Sequence, residues 1–455
     1  MKLDIVEKKS RAVIKSILKA KKIVIAGFGL SGKSLAEHFS HCKKDIYIYE
    51  ENPSKKSYIE ALGYTYIGPN STDILKDSGI DIIIASPGFN GKKSTNSIAI
   101  IAKKYNKVIY SDLDAWNAYC SPKAIRIGVT GTNGKSTLTT MLYHLLSSLN
   151  KNVQICGNME VNFFKADRNA DYYVEEVSSG HLVNSESLTN YNYSCFLSFD
   201  IEHTEYHSSP KEYFESKLKI FSPNSKAYVN FKSALLNEKK DEVLSYLNQV
   251  NCQIQSYNKV EQVLQEGHFY PKGVKQNTPE THINCCIAVS IVHQATNIKI
   301  EEVAKHLQTF KFLPHRNQFI KTINKVSFFN DSKATNVSAF EISIKTFTGE
   351  KTAIIVGGSG FELSYFIDIA KQHQDTVSHI FVIGKDSSIY AKDILSQGLE
   401  CTDSGSLEKA VKQAFEYCQA NKCSNIVLTP AAKSFDQFNS YIERGNIFAE
   451  IVKNL

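Results

Sequence analysis

The chain has 455 residues, of which 42% are hydrophobic, and this is enough apolar material for two or three domains with substantial cores. Its formal charge of +7 comes from 53 basic and 46 acidic residues, and the lysines are scattered along the chain. A nucleic-acid-binding protein more often concentrates its basic residues in one stripe with interleaved aromatic residues, so we expect no nucleic-acid partner.

The ten cysteines are spaced too widely for a disulfide scaffold, so we predict free thiols in a reducing cytoplasm. The apolar spacing in Met1–Lys22 predicts an amphipathic helix. No unbroken hydrophobic run reaches the length of a signal peptide or a membrane span. We therefore expect a cytoplasmic protein, and we predict a monomer.

The first nucleotide-binding pattern follows this helix. Lys22–Ala26 is predicted to be a buried strand, and the glycine-rich turn 27–32 leads into a helix that begins near Lys33. A second strand, Ile46–Tyr49, ends at Glu50, an acidic residue able to meet a ribose hydroxyl. The pattern is typical of a Rossmann-like unit, and by itself it indicates a dehydrogenase as strongly as any other nucleotide enzyme.

The next strand, Ile82–Ala85, ends in the turn Ser86-Pro87-Gly88, which exposes backbone groups at the carboxyl edge of the sheet. This turn and the earlier glycine-rich turn could equally be tight connections with a purely structural role. Residues 116–124, which include Ser121-Pro122, are predicted to be a linker into the next domain.

The most specific segment of the chain is a phosphate-binding loop. A short apolar strand, Ile125–Val129, precedes Gly131-Thr132-Asn133-Gly134-Lys135-Ser136-Thr137, and an apolar-periodic helix follows. Glycines let backbone N–H groups approach phosphate oxygens, Lys135 can reach the terminal phosphates, and the Ser136 hydroxyl can ligate Mg²⁺. The strict loop spacing places a glycine where Val129 stands, and a glycine-rich turn that caps an ordinary helix is the structural alternative. We expect ATP as the ligand.

Polar residues follow two later strands. Tyr172–Val174 leads into Glu175 and Glu176, and a glutamate at a strand end can hold Mg²⁺ beside phosphates, although a surface glutamate has no such role. His203 follows the strand 195–199, and Lys217 lies on a predicted helix. By pattern alone, the histidine is more often structural and the lysine is more often solvated.

The segment from Thr130 to Thr137 resembles the phosphate loop of the muramyl ligase family, cytoplasmic ATP-dependent ligases that add amino acids to a UDP-linked muramic acid. The chain is similar to that family along most of its length. The resemblance implies an α/β fold of three domains. These are a Rossmann-like domain for the UDP-linked substrate (residues 1–120), a central P-loop ATPase-like domain (121–313) and a Rossmann-like domain for the amino acid (314–455).

The resemblance also implies roles for individual residues. Contacts with ATP are implied for Gly131, Thr132, Asn133, Gly134, Lys135, Ser136, Thr137, Asn284, Arg316 and Asp331. Contacts with the UDP-linked substrate are implied for Leu30, Ser31, Ser86, Pro87, Gly88, Asn158 and Ser178. Two Mg²⁺ ions are implied, with ligands from Ser136, Glu176, His203 and Lys217. Catalytic roles are implied for Lys135, His203, Lys217 and Lys333. Lys217 would carry a carbamate, which turns a cation into a carboxylate-like metal ligand.

The acceptor amino acid would meet the last domain. Residues 330–336 reproduce a family motif, and the resemblance implies acceptor contacts by Thr335, Ser434, Phe435 and Tyr441. One position departs from the pattern, because Phe361 stands where the D-glutamate-adding members carry a lysine. We hypothesise that Lys433 returns the missing cation to the acceptor site, since a buried carboxylate without a partner is costly. Alternatively, Lys433 faces solvent and Phe361 marks a less acidic acceptor.

The expected reaction is ATP-dependent addition of D-glutamate to UDP-N-acetylmuramoyl-L-alanine through an acyl phosphate, in peptidoglycan precursor synthesis. The expected partners are therefore these two small molecules and ATP. A related ligase with a different acceptor amino acid or a folate-like substrate is one alternative, and a non-catalytic nucleotide-binding protein is another. Binding of the UDP-linked substrate rather than a folate would separate the two ligases.

Overall fold

The computed structural model describes residues 2–69, 79–90, 97–159, 161–201, 206–271 and 279–455, without the side chains of residues 2–6 and 97. The chain divides into two compact units. Unit 1 comprises Met1–Phe269 and Ile283–Leu307, and unit 2 comprises Tyr270–His282 and Gln308–Leu455. The boundaries that we predict between three domains, after residues 120 and 313, stay a prediction.

The first sheet of unit 1 is entirely parallel, in the order β3-β2-β1-β4-β5. Its strands are β1 Lys22–Ala26, β2 Asp45–Tyr49, β3 Thr65–Ile67, β4 Ile82–Ala85 and β5 Ile109–Ser111. The accompanying helices are Lys2–Lys19, Leu30–His41, Lys56–Ala61, Ser97–Lys104 and Asp112–Tyr119, with a 3₁₀ turn at Pro53–Lys55. All four residues of β4 are buried, as expected for a parallel strand covered on both faces.

The second sheet of unit 1 is also parallel, in the order β11-β10-β9-β6-β8-β7. Its strands are β6 Ile125–Thr130, β7 Val153–Gly157, β8 Tyr172–Glu176, β9 Tyr193–Phe196, β10 Lys226–Val229 and β11 Gln253–Ile254. The helices of this region are Lys135–Ser148, Ser179–Val183, Pro210–Leu218, Ala234–Glu238, Lys240–Gln249, Asn258–Glu266, Pro279–Thr296 and Ile300–Lys305. Short 3₁₀ turns occur at Phe163–Lys165 and His306–Thr309.

Unit 2 contains a third sheet, in the order β12-β13-β17-β14-β15-β16, in which only the β12–β13 pair is antiparallel. Its strands are β12 Gln318–Ile323, β13 Val326–Asn330, β14 Thr352–Val356, β15 Val377–Ile383, β16 Cys401–Gly405 and β17 Asn425–Leu428. Its helices are Val337–Lys345, Leu363–Gln372, Ser387–Ser396, Leu407–Asn421 and Tyr441–Lys453. The predicted α/β fold class is therefore confirmed.

Two sequence predictions need correction. The predicted linker does not begin at Trp116, because this residue lies in the helix Asp112–Tyr119 and its side chain is fully buried. The indole packs against the rings of Phe163 and Tyr173, and the helix ends at Tyr119, before Ser121-Pro122. The helix after β1 begins at Leu30 rather than near Lys33.

Other expectations hold. The N-terminal amphipathic segment forms the helix Lys2–Lys19, and all ten cysteines are free. Among the described residues, no helix combines the length and the apolar character needed to cross a lipid bilayer.

Candidate active site

The phosphate-binding loop leaves the carboxyl end of β6 and enters the helix Lys135–Ser148. Gly131 and Gly134 have φ angles of +150° and +84°, which residues other than glycine rarely adopt. Ser198 anchors the loop, because the Thr132 N–H donates to the Ser198 carbonyl at 2.9 Å and the Asn133 N–H donates to the Ser198 hydroxyl at 2.8 Å. The loop is thus a rigid backbone cradle at the sheet edge.

Two lysine side chains converge on this loop. Lys135 Nζ donates to the carbonyl oxygens of Gly131 and Thr132, at 2.8 Å and 2.7 Å. Lys217 Nζ donates to the same Gly131 oxygen at 2.9 Å. Lys217 is only 1% exposed and its ammonium lies over the Tyr213 ring, so it is not the solvated helix residue that its pattern suggests. As unmodified ammonium groups, the two lysines favour an anionic ligand at the loop.

Glu176 ends β8 beside the strand that feeds the loop, where it pairs in register with Val129. Its Oε1 accepts a hydrogen bond from Asn158 Nδ2 at 3.0 Å. Its Oε2 is buried and has no hydrogen-bond partner among the described residues. A buried carboxylate oxygen without a partner is costly, so this atom fits a cation that binds there.

The preceding residue, Glu175, faces a different environment. Arg126 binds both of its carboxylate oxygens, with Nε at 2.6 Å from Oε1 and Nη2 at 2.8 Å from Oε2. Trp116 and Tyr191 donate two further hydrogen bonds to the same carboxylate. Adjacent strand residues point to opposite faces of the sheet. Glu175 therefore forms a structural ion pair with Arg126, whereas Glu176 faces the edge that carries the loop.

Among the described residues, no three His, Cys, Asp or Glu side chains form a metal-binding cluster. The predicted metal ligand His203 lies outside those residues. Of the other predicted ligands, Ser136 is the second residue of the helix Lys135–Ser148, Glu176 presents its unpartnered oxygen and Lys217 contacts the loop. The Ser136 hydroxyl and the Glu176 carboxylate fit a hard divalent cation, which prefers oxygen ligands, whereas the Lys217 ammonium offers no lone pair to a metal ion. Asn284, predicted to contact ATP, also lies here, since a Cβ at Gly134 would be 3.6 Å from its Nδ2.

A cleft of about 390 Å³ opens at the carboxyl edge of the first sheet, where the strand order reverses between β1 and β4. This is the position at which open parallel sheets bind ligands. The predicted substrate residues that line it are Leu30, Ser31, Ser86, Pro87 and Gly88. The Leu30 side chain is 77% exposed and offers an apolar surface at the cleft.

Glu50 lines the same cleft, and its carboxylate is held against the glycine-rich turn. Its Oε2 accepts bonds from the Phe28 N–H at 3.1 Å and from Lys55 Nζ at 2.8 Å. Burial alone would raise the pKa of Glu50, but the bonds from Lys55, Asn52 and Phe28 outweigh burial and lower that pKa. The carboxylate therefore stays ionised at the end of β2.

Ser178 lies between the cleft and the phosphate-binding loop. It follows β8 and caps the helix Ser179–Val183. This helix packs directly on the turn Ser86-Pro87-Gly88 that lines the cleft, called the cleft turn below, because a Cβ at Gly180 would be 2.2 Å from the carbonyl oxygen of Pro87. Asn158 lies at the same edge, where its backbone N–H donates to the Glu176 carbonyl at 2.8 Å. Unit 1 thus brings its predicted UDP-substrate residues next to its predicted phosphate residues.

In unit 2, three neighbouring strands end at one edge. β13 leads into the segment with Asp331, Lys333 and Thr335, and Lys333 Nζ lies 3.9 Å from the centre of the Tyr441 ring. Asp331 Oδ1 accepts the Asn317 N–H at 3.1 Å, and burial raises the pKa of Asp331 to about 7. Arg316, also assigned to ATP by sequence, is half-buried in the same unit.

The two other strand ends carry the acceptor positions. Ser359 and Lys433 form an antiparallel bridge, in which the Ser359 N–H donates to the Lys433 carbonyl at 2.9 Å. The Phe361 side chain is buried against the rings of Phe366 and Tyr390. Lys433 is exposed on the adjoining segment. Of the remaining predicted acceptor residues, Ser434 is buried and Phe435 is 70% exposed.

Sequence reasoning missed a buried polar group behind Ser178. His181 Nδ1 lies 2.8 Å from Ser178 Oγ, and His181 Nε2 lies 3.5 Å from Asp112 Oδ2. Asp112 comes from the helix after β5, about 70 residues earlier in the chain. The spacing of Ser178 and His181 is that of a capping box, so the sequence contains a signal for this pair but none for Asp112.

Comparisons with known proteins place these features in context. Residues 129–308 match the Mur ligase middle domain. The chain is 30% identical over 451 residues to a UDP-N-acetylmuramoylalanine–D-glutamate ligase of Chlamydia caviae, covering 96% of this chain and 99% of the relative. It is 27% identical over 470 residues to the enzyme of that name from Thermoanaerobacter pseudethanolicus, with 96% and 99% covered. Its fold is similar to the MurF ligase of Thermotoga maritima, solved with ADP, at a TM-score of 0.55 and 14% identity, covering 90% of this chain and 96% of that one.

Proposed function

Because the chain belongs to the Mur ligase family, we propose that it is an ATP-dependent ligase that adds D-glutamate to UDP-N-acetylmuramoyl-L-alanine. The reaction would serve peptidoglycan precursor synthesis. One observation of the molecule carries the chemistry. A phosphate-binding loop with two converging lysines lies beside the unpartnered carboxylate oxygen of Glu176, and the substrate cleft adjoins the same region of unit 1.

In the proposed reaction, the substrate carboxylate attacks the terminal phosphate of ATP, and the bond between that phosphorus and the bridging oxygen of ADP breaks. The amino group of D-glutamate then attacks the acyl phosphate, forms the amide and releases phosphate. Lys135 leaves its carbonyl partners to neutralise negative charge on the transferred phosphoryl group. The loop N–H groups orient the phosphates. No covalent enzyme nucleophile is needed.

Mg²⁺ would be held by Ser136 and Glu176, and a second ion would involve His203 and Lys217. When bound, the metal ions neutralise phosphate charge and orient the reacting oxygens. We propose that Lys217 carries a carbamate, because its buried amino group points at the loop. A carbamylated nitrogen keeps one N–H, so the bond to Gly131 can persist. This modification would supply the negative charge that a metal site requires.

For the acceptor, we propose that Lys433 binds a carboxylate of D-glutamate, with Thr335, Ser434, Phe435 and Tyr441 as further contacts. The side chain of Phe361 is committed to an aromatic cluster and offers no charge. Lys433 is bridged to Ser359, two residues before Phe361, so a cation lies on the neighbouring segment. A charge-assisted bond from this lysine is worth about 1.5–3 kcal/mol.

A turnover assay tests the function. Wild-type protein, ATP, Mg²⁺, D-glutamate and UDP-N-acetylmuramoyl-L-alanine should yield ADP, phosphate and a product whose mass shows one added glutamate. Lys135→Ala should lose at least about a hundred-fold in turnover while its unfolding curve is unchanged, because the lysine acts on the transition-state charge. Lys123→Ala, at an exposed site before β6, is the matched control and should keep full turnover.

Near-normal turnover of Lys135→Ala would contradict the proposed ATP site. The folate alternative is tested in the same assay, by replacing the UDP-linked substrate with a dihydropteroate and the acceptor with L-glutamate. Product from this pair, with none from the UDP-linked substrate, would favour a folate-type ligase.

A further inference from the structure

His181 is a buried histidine whose hydrogen bonds determine the direction of a neighbouring hydroxyl. The backbone N–H of Ser178 donates to His181 Nδ1 at 3.1 Å, so this ring nitrogen carries no proton. The neutral ring therefore has its proton on Nε2, which faces Asp112 Oδ2 across 3.5 Å. His181 is 1% exposed, and burial lowers its pKa to about 3.

The same ring nitrogen orients the side chain of Ser178. Ser178 Oγ lies 2.8 Å from His181 Nδ1. Because Nδ1 is unprotonated, the serine hydroxyl must donate its hydrogen to the ring. The hydroxyl then offers only lone pairs to its surroundings, and a ligand group that meets Ser178 must be a hydrogen-bond donor.

The position of Ser178 limits which donor this is. Ser178 is half-buried at the edge where the helix Ser179–Val183 packs on the cleft turn, two residues after Glu176. In the UDP-linked substrate of the proposed function, on which this step rests, the reacting carboxylate belongs to alanine. The donor nearest that carboxylate is the N–H of the same alanine, in its amide bond to the lactyl group.

We infer that Ser178 accepts a hydrogen bond from the alanine amide N–H of the UDP-linked substrate, and that His181 is the positioning residue that makes Ser178 an acceptor. The bond would orient the alanine so that its carboxylate points towards the phosphate-binding loop. It would also discriminate against substrates that lack this N–H, because the serine oxygen would then face an ester oxygen rather than a donor.

The test compares two substrates that differ at one atom. The first is UDP-N-acetylmuramoyl-L-alanine, and the second is its ester analogue, with L-lactate in place of alanine. The wild type should prefer the amide by about ten-fold in kcat/KM, and by a similar factor in binding affinity measured without ATP. Ser178→Ala should lose most of this preference. Ser179→Ala is the control and should keep it, since the Ser179 hydroxyl bonds to His207 at 3.0 Å instead.

Two substitutions test the positioning role. His181→Gln should keep the preference, because a glutamine carbonyl oxygen can accept from both groups of Ser178. His181→Leu should lose it, because the freed hydroxyl can turn and donate to the ester. The inference is overturned if Ser178→Ala keeps the wild-type preference, or if His181→Leu discriminates as strongly as His181→Gln. A wild type that turns over neither substrate defeats the proposed function itself, which is a different outcome.

Discussion

Substitutions of two adjacent glutamates on β8 should have different effects, because Glu175→Gln should reduce stability and Glu176→Gln should reduce turnover. The Glu175 carboxylate accepts two hydrogen bonds from the Arg126 guanidinium, one from Trp116 and one from Tyr191, and both members of the ion pair are buried. Glu175→Gln removes the negative charge and leaves the arginine uncompensated. Breaking a buried ion pair on one side costs about 3–5 kcal/mol, so unit 1 should be destabilised by that amount.

Glu176→Gln should behave in the opposite way. The side-chain oxygen of glutamine can still accept the bond from Asn158, and the substitution removes charge from an oxygen that has no partner in the described chain. The unfolding free energy should therefore change by less than about 1 kcal/mol. Turnover should fall by at least about a hundred-fold, because a metal ligand loses its charge.

The assay is urea unfolding followed by the fluorescence of Trp116, the single tryptophan of the chain, whose indole N–H donates to Glu175 at 3.1 Å. A chelator should be present in every sample, so that metal binding does not add to the stability of one variant. The reasoning is refuted if Glu175→Gln unfolds at the wild-type urea concentration. It is equally refuted if Glu176→Gln is the less stable variant or retains full turnover.

Three further predictions concern the buried residues Lys217 and Asp331 and the exposed residue Lys433. Lys217→Ala should be slow and partly rescued by acetate, and the intact mass of the wild type in bicarbonate should show a carbamate. Lys433→Ala should raise the apparent KM for D-glutamate about ten-fold, with little change in the KM for ATP. Burial raises the pKa of Asp331 from 3.8 to about 7, so the native state keeps a proton that the unfolded chain loses. Stability should therefore fall by about 3 kcal/mol as the pH rises from 4 to 7, and Asp331→Asn should lack this slope.

Each of these outcomes has a matched measurement that would contradict it. A wild-type mass without carbamate, together with activity that ignores bicarbonate, would reject the modified lysine. An unchanged KM for D-glutamate, or a preference for a neutral amino acid, would show that Lys433 is not the acceptor cation. Identical pH profiles of unfolding for the wild type and Asp331→Asn would mean that Asp331 ionises normally in the folded protein.

Much of the fold could be predicted because its signals are local. Apolar runs such as Ile82–Ala85 form buried parallel strands, and the glycine pattern after β6 determines a loop that only glycine's backbone freedom permits. Where tertiary packing competed with local signals, the sequence misled. The predicted linker includes Trp116, yet this residue lies in a helix that ends before Ser121-Pro122, and its buried indole packs against Phe163 and Tyr173, which lie far along the chain.

The sequence by itself determined which residues could bind phosphate, since the glycines, Lys135 and Ser136 are contiguous and act through the backbone that they form. It could not determine the roles of residues whose partners lie far along the chain. Glu175 and Glu176 are indistinguishable in a strand pattern until Arg126 is seen to bind the first and leave the second. Likewise, only the tertiary structure brings Asp112 Oδ2 to within 3.5 Å of His181 Nε2, because this approach depends on distance in space rather than on separation in sequence.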